Sequence, residues 1–124
     1  MKKVLLVGID PAKVDFSNPA LPPGVTEEKI RAGIKVALAD MVGRGWQSEV
    51  CYIDPDESAV STLENQLASE RYDCIVIGAG VRLPPGMLTL FEALINSIRC
   101  TAPEAAIAFN TRPDDSGAAA ARWI

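Results

Sequence analysis

Four apolar runs alternate along the chain with segments in which apolar residues recur at helical spacing. Continuous apolar runs are typical of strands that are buried on both faces of a parallel sheet. A recurrence every three to four residues is typical of amphipathic helices. The pattern predicts four strands at Lys3–Ile9, Glu49–Ile53, Asp73–Gly78 and Ala105–Asn110.

The helices between these strands have recognisable ends. The first begins after Thr26, a residue type that accepts a backbone hydrogen bond at helix starts, and it stops at Gly43. The second follows Asp54-Pro55-Asp56-Glu57, which has the form of a cap, a proline at the first helical position and a glutamate at the third. The third covers about Pro85–Cys100, and a short last helix carries Ala118–Trp123.

Strands that alternate with helices over short connections indicate a parallel sheet with right-handed crossovers. We therefore expect one α/β domain over residues 1–124, a three-layer sandwich around a four-stranded parallel sheet in the order 2-1-3-4. The first and last helices cover one face, and the second and third cover the other. The fourth strand is then an apolar edge, which favours a homodimer through that strand or the third helix.

Each predicted strand is followed closely by a charged residue and a proline, and the carboxyl edge of such a sheet is where ligands bind. Asp54-Pro55 is explained by the second helix cap. Asp10, Arg82 and Arg112 remain, and they follow three strands that are neighbours in the predicted order. Two arginines can hold a carboxylate or a phosphate. The alternative is that they pin loops through internal ion pairs.

The connection Asp10–Val25 has 16 residues, whereas βα loops usually have about 2–6. Its prolines make it stiff, and Phe16 and Leu21 give it apolar side chains to bury. It is either a lid over a ligand site or a structural cover over the sheet edge or a dimer seam.

Familiar cofactor motifs are missing. The turn after the first strand, Gly8-Ile9-Asp10-Pro11, lacks the dinucleotide fingerprint, and the chain has no P-loop. Gly78 and Gly80 could let a ligand approach the backbone, although a tight turn explains them as well. The acidic start of the long loop disfavours flavin phosphate. The third strand ends in Gly78-Ala79-Gly80, where a phospho-receiver needs an aspartate. We therefore expect no cofactor.

The chain contains no histidine. This excludes Ser-His-Asp and Cys-His nucleophile systems and the usual zinc and iron ligand sets. Asp10, Asp15 and Asp54 offer oxygen ligands for Mg²⁺, but their spacing gives no further support, so we expect no metal. Cys51 and Cys74 lie in apolar strands and are interpreted as core residues.

The net charge is −4 and the basic residues are scattered, so nucleic acid is not an expected partner. No apolar run approaches the roughly 20 residues that cross a bilayer, so we expect no membrane partner. The apolar start is broken at Asp10-Pro11 and lacks a cleavage signal, so it is interpreted as a strand and the protein as cytoplasmic.

Three segments carry a family resemblance: Val14–Gly24, Ile77–Pro85 and Phe109–Pro113. They resemble those of small uncharacterised bacterial proteins with a Rossmann-like or flavodoxin-like domain. The resemblance implies that fold and no activity, and it assigns no functional residue.

Together these patterns favour a non-catalytic domain that binds a small anionic ligand at the carboxyl edge. The predicted ligand-binding residues are Asp10, Asp15, Gly78, Gly80, Arg82, Asn110 and Arg112. An interaction or homo-oligomeric module is the first alternative. A small enzyme acting on an anionic substrate, with Asp10 or Asp15 as a base or metal ligand, is the second.

Overall fold

The computed structural model describes residues 1–124 and contains four strands and five helices. The strands are β1 (Lys3–Ile9), β2 (Gln47–Ile53), β3 (Cys74–Ile77) and β4 (Ala106–Phe109). The helices are α1 (Glu27–Gly43), α2 (Ser58–Ser69), α3 (Ala79–Arg82), α4 (Leu88–Thr101) and α5 (Ser116–Ala121). Two 3-10 turns cover Pro11–Lys13 and Pro113–Asp115.

All four strands run parallel in one sheet with the order β2-β1-β3-β4, which confirms the predicted fold class. Val7 pairs with Ile77, the last residue of β3, while β1 continues for two more residues. The chain turns away from the sheet at Gly78, whose N–H donates to the Val7 carbonyl at 2.8 Å. Gly8 and Ile9 therefore have no strand beside them on the β3 side.

The two faces of the sheet support two separate core clusters. Val4 and Leu6 of β1 pack with residues of α1 and α5, whereas Leu5 and Val7 pack with residues of α2 and α4. Successive strand residues point to opposite faces, which produces this division. The predicted placement of the helices on the two faces is confirmed.

The start of α1 is as predicted, and α2 follows Asp54-Pro55-Asp56-Glu57 as predicted, but the capping role predicted for Asp54 is wrong. Thr26 accepts a hydrogen bond from the Lys29 N–H at 3.2 Å and caps α1. At the second helix, Asp56 rather than Asp54 accepts from the Ser58 N–H, at 2.8 Å. The Asp56 carboxylate forms a local turn that competes with helical bonding, and α2 begins only at Ser58.

The predicted third helix starts later in the structure, and a helical turn that was not predicted precedes it. Gly86 has φ = +86°, a left-handed conformation that an α-helix cannot include. As a result, α4 begins at Leu88 rather than Pro85, and a separate helical turn, α3, follows β3 directly.

The cysteines lie where the apolar pattern predicts. Cys51 and Cys74 are buried in the sheet, Cys100 is exposed on α4, and all three are free thiols. Burial raises the pKa of the Cys51 thiol, and it raises that of Cys74 to about 11. Both strand cysteines are therefore protonated at neutral pH and pack as small apolar side chains.

None of the five helices combines the length and the apolar character needed to pass through a bilayer.

Candidate functional site

A cavity of about 230 Å³ lies at the carboxyl edge of the sheet, where β3 stops and β1 continues. Gly8, Gly78 and Gly80 are among the residues that line it. A Cβ added at Gly8 or Gly80 would meet no atom within 4 Å. The cavity thus occupies space that side chains at these two positions would fill.

Gly78 has a different role. A Cβ added there would lie 3.1 Å from the Val7 carbonyl oxygen and 3.7 Å from the Cα of Gly8. Its backbone conformation is an ordinary extended one, so the requirement for glycine comes from space alone. Gly78 allows the end of β3 to lie directly against β1, in agreement with the turn interpretation of this glycine.

The walls of the cavity are almost entirely apolar. Helix α1 contributes Ile30 and Ile34, and the Asp10–Val25 loop contributes Val14, Leu21 and Val25. The loop therefore forms a roof over the carboxyl edge. The expectation that Phe16 is buried is wrong, because its side chain is 40% exposed, whereas the expectation for Leu21 agrees with its place in the roof.

Short local hydrogen bonds hold the roof loop in shape. Asp10 accepts from the backbone N–H of Ala12 at 2.9 Å, and Asn18 accepts from that of Ala20 at the same distance. Such Asx turns need only neighbouring residues. The Asp10 carboxylate also lies 3.8 Å from a guanidinium nitrogen of Arg31 on α1, which ties the start of the loop to that helix.

Asp15 forms a third turn in the same loop. Its carboxylate accepts from both the hydroxyl and the backbone N–H of Ser17, and these two bonds lower the Asp15 pKa. Asp15 is therefore ionised at neutral pH and its acceptor capacity is partly used. It lines a second cavity of about 210 Å³ rather than the first.

Asn110 is a buried polar residue beside the cavity. Its side-chain oxygen accepts from the Ala79 N–H at 2.8 Å, and its amide nitrogen donates to the Ser116 hydroxyl at 2.9 Å. Both ends of the side chain are thus bound within the protein. Asn110, the first residue after β4, thus links the end of that strand to the turn after β3 and to the start of α5.

The next residue, Thr111, is also bound internally. Its backbone N–H and its hydroxyl donate to the Asp115 carboxylate. Burial opposes ionisation of Asp115, but the bonds from Thr111 and from the Arg112 N–H outweigh it and lower the Asp115 pKa. The polar groups of this segment are therefore largely committed to the protein itself.

Arg82 does not line the cavity. Its guanidinium donates to the Asn110 carbonyl and lies 5.4 Å from the centre of the Phe109 ring, while its Nε is buried without a hydrogen-bond partner. The side chain packs against the end of β4. This arrangement agrees with the alternative that the arginine supports the fold, although its partners are a ring and a carbonyl rather than an acid.

Arg112 lies at the rim of the cavity, with its side chain 68% exposed and its Nε 2.7 Å from the Asp114 carboxylate. It also lines an adjoining outer cavity of about 320 Å³, together with Lys29 and Asp114. Lys29 forms no salt bridge. The rim therefore carries two cations and one anion.

The structure brings together only part of the predicted site. Gly78, Gly80, Asn110 and Arg112 line the first cavity, while Asp10 and Arg82 line neither it nor the second cavity. Sequence reasoning missed Val14, Ile30 and Ile34 of the walls and Lys29 of the rim. The only signal for Ile30 and Ile34 is the apolar spacing on α1, which is also that of an ordinary core stripe, and no sequence pattern marks Val14 or Lys29.

The three aspartates that could have formed a magnesium site do not do so. Asp10 and Asp15 belong to separate local turns, and no group of three or more acidic, thiol or imidazole side chains is placed to hold a metal ion.

No protein-family model matches the chain, and neither does any curated protein sequence. The resemblance to small bacterial Rossmann-like proteins stays a prediction. Any function therefore has to be argued from the site itself.

Proposed function

We propose that this chain is a non-catalytic binding domain for a small organic anion. The apolar body of the ligand lies in the first cavity, and its anionic group lies at the rim beside Arg112. One observation carries the proposal: an apolar-walled cavity at the carboxyl edge of a parallel sheet opens beside an exposed arginine.

The apolar walls favour a ligand with an apolar body. Removing apolar surface from water stabilises a complex by about 25 cal/mol per Å². A compact polyanion inside the cavity would lose its water without gaining partners, because Asn110 and Thr111 are already hydrogen-bonded within the protein. The charge of the ligand therefore belongs at the rim.

Arg112 can exchange its present partner for a ligand carboxylate. Its ion pair with Asp114 is exposed, and exposed pairs contribute only about 0–1 kcal/mol. The pair is formed through Nε, so the terminal guanidinium nitrogens are the groups that a ligand carboxylate would meet. Planar guanidinium groups are well suited to carboxylates.

The acids near the edge favour binding over catalysis. A general base works best when its pKa lies near the working pH. Hydrogen bonds from Ser17 lower the pKa of Asp15 instead, and Asp10 is held by Ala12 and Arg31. Neither carboxylate lines the first cavity.

Isothermal titration calorimetry with 2-naphthoate, inorganic phosphate and citrate tests this proposal. We expect 2-naphthoate to bind with one-to-one stoichiometry and the two compact anions to give no heat of binding at equal concentration. Gly8→Leu fills the cavity and should abolish binding. Arg112→Ala removes a charged hydrogen-bond donor worth about 1.5–3 kcal/mol and should weaken binding by at least tenfold.

Two variants control for the chemistry of these changes. Gly43→Leu introduces the same side chain at the end of α1, where a Cβ also meets nothing within 4 Å. Arg71→Ala removes an exposed arginine from a surface ion pair with Glu104. Both should bind 2-naphthoate as the native protein does. Undiminished binding by Gly8→Leu, or no binding by the native protein, would overturn the proposal.

A second candidate function is self-association along β4. The Ala106 N–H donates to the carbonyl of Asp73 in the neighbouring strand at 3.0 Å. Because successive residues of a strand direct their N–H and C=O groups to opposite sides, those of Ile107 face the open edge of the sheet. Phe91, Ile107 and Phe109 line a groove beside it. Arg122 donates to the Phe109 carbonyl at 3.0 Å and blocks one end, which limits how long a paired strand can be.

Light scattering over a range of protein concentrations tests the homodimer. We expect a dimer in the native protein and a monomer in Ile107→Lys, which places a charge on the edge strand. A native protein that stays monomeric at high concentration would contradict it.

A cytoplasmic location also stays a prediction, and the three free thiols support it.

A further inference from the structure

The second cavity adjoins the first beneath the same roof. Both are lined by Ile9, Val14, Leu21, Ile30 and Gly80. The far end of the second cavity is formed by residues around Pro84 and Met87, between the roof loop and the segment that precedes α4. The two spaces are therefore neighbouring chambers that share part of their lining.

The walls of both chambers suit an aliphatic ligand. Their apolar side chains come from leucine, isoleucine, valine, alanine, proline and methionine, and no aromatic side chain lines either chamber. Each chamber alone is small, at about 230 and 210 Å³, and ligand pockets commonly have about 300–1,000 Å³. A narrow flexible chain can occupy both, whereas a rigid ring system fits in one.

Charge fixes the direction of such a chain. The outer cavity next to the first chamber carries Lys29 and Arg112 against one acid, Asp114. The second chamber carries one cation, Lys13, and one anion, Asp15. The excess positive charge lies at the outer end, so an anionic head group is stabilised there and the apolar tail points inward.

We infer that the site takes a straight-chain aliphatic monocarboxylate. The carboxylate lies between Arg112 and Lys29, and the methylene chain runs through the first chamber, past Leu21 and Ile30, into the second. This inference rests on the proposed function, because it names the class of anion that the same cavity binds.

The dependence of affinity on chain length tests the two-chamber arrangement. Each buried methylene should lower the Kd by about fourfold, the equivalent of about 0.8 kcal/mol. Calorimetric titration of the native protein with butanoate, hexanoate, octanoate and decanoate should show this fall through the whole series. Octanol should bind more weakly than octanoate, and Arg112→Ala should reduce that difference.

Gly80→Leu tests whether the ligand chain runs from the first chamber into the second. Gly80 lines both chambers and lies in α3, where an added Cβ meets no atom within 4 Å. The leucine should obstruct the passage, so that decanoate gains little over hexanoate in this variant. Gly43→Leu is the matched control and should keep the full dependence on chain length.

The outcomes separate this inference from the proposed function. Binding of 2-naphthoate without a rise in affinity along the carboxylate series would overturn the inference and leave the proposed function in place. An unchanged series in Gly80→Leu would also overturn it. Failure of both 2-naphthoate and the straight-chain acids to bind would overturn the inference and the proposed function together.

Discussion

The side-chain oxygen of Asn110 accepts a hydrogen bond from the backbone N–H of Ala79 at 2.8 Å. Ladder pairing between β3 and β4 ends one residue earlier, at Ile77 and Phe109. The asparagine side chain therefore continues the connection between the two strands at the point where the backbone no longer can, and it does so beside the cavity.

Asn110→Ala should destabilise the protein by about 1–3 kcal/mol. The change removes the partner of the Ala79 N–H, and an unsatisfied buried group costs about 1–3 kcal/mol, whereas the Ser116 hydroxyl keeps its hydrogen bond to the Pro113 carbonyl. Urea unfolding followed by circular dichroism measures the loss. Asn96→Ala, which removes an exposed asparagine from α4, should change stability by less than about 0.5 kcal/mol.

Two glycines that are two residues apart should respond in opposite directions to alanine. Gly78→Ala places a Cβ 3.1 Å from the Val7 carbonyl oxygen and should cost about 1–3 kcal/mol through overpacking. Gly80→Ala has open space in a helical turn and should stabilise by about 0.5–1 kcal/mol. Equal effects of the two changes on the free energy of unfolding would contradict the roles described for them.

Alanine substitutions at Arg82 and Arg112 should have opposite effects, one on the stability of the protein and the other on its affinity for 2-naphthoate. Arg82→Ala loses a hydrogen bond to Asn110 and contact with the Phe109 ring, which should cost about 1–2 kcal/mol of stability. It should leave the Kd for 2-naphthoate within about twofold of native. Arg112→Ala should show the reverse, with weakened binding and nearly native urea unfolding. A large loss of affinity in Arg82→Ala would show that Arg82 contributes to ligand binding and would contradict this prediction.

Stability should be nearly constant from pH 8 to 5 and fall below about pH 4. The chain has no histidine, and hydrogen bonds lower the pKa values of Asp15, Asp56 and Asp115 in the folded state. A carboxyl with a lowered folded-state pKa stabilises the fold above its ordinary pKa of about 3.9, and this contribution is lost as protonation proceeds.

Urea unfolding at pH 8, 7, 5 and 3 measures this dependence. Asp115→Asn should reduce stability at pH 7 and make the fall between pH 5 and 3 smaller. A steep change between pH 8 and 6 would show that another group titrates there and would contradict the assignment to these carboxylates.

The fold follows from the sequence because periodicity reports burial directly. The apolar runs place β1 and β3 in the centre of the sheet, and the helical stripes place α1 and α2 on opposite faces. Helix starts were harder to predict. Asp54 and Asp56 both have the chemistry of a cap, but the N-cap position is Glu57, and the Asp56 carboxylate instead forms a local turn with the Ser58 N–H.

The site was predictable in position but not in composition. The carboxyl edge follows from strand order, and Arg112 lies there at a cavity rim. The direction of the Arg82 side chain depends on the Phe109 ring and the Asn110 carbonyl, which no spacing reveals. The cavity itself depends on the absence of a side chain at Gly8. In the sequence, this glycine shows only that the turn after the first strand does not match the dinucleotide-binding motif.

The three local turns at Asp10, Asp15 and Asn18 have a consequence for the path of a ligand. A roof whose order comes from its own neighbouring residues is already formed before binding, so a ligand has little loop entropy to remove. We therefore expect this roof to act as a fixed wall. A ligand then enters and leaves through the outer cavity, between Lys29 and Arg112.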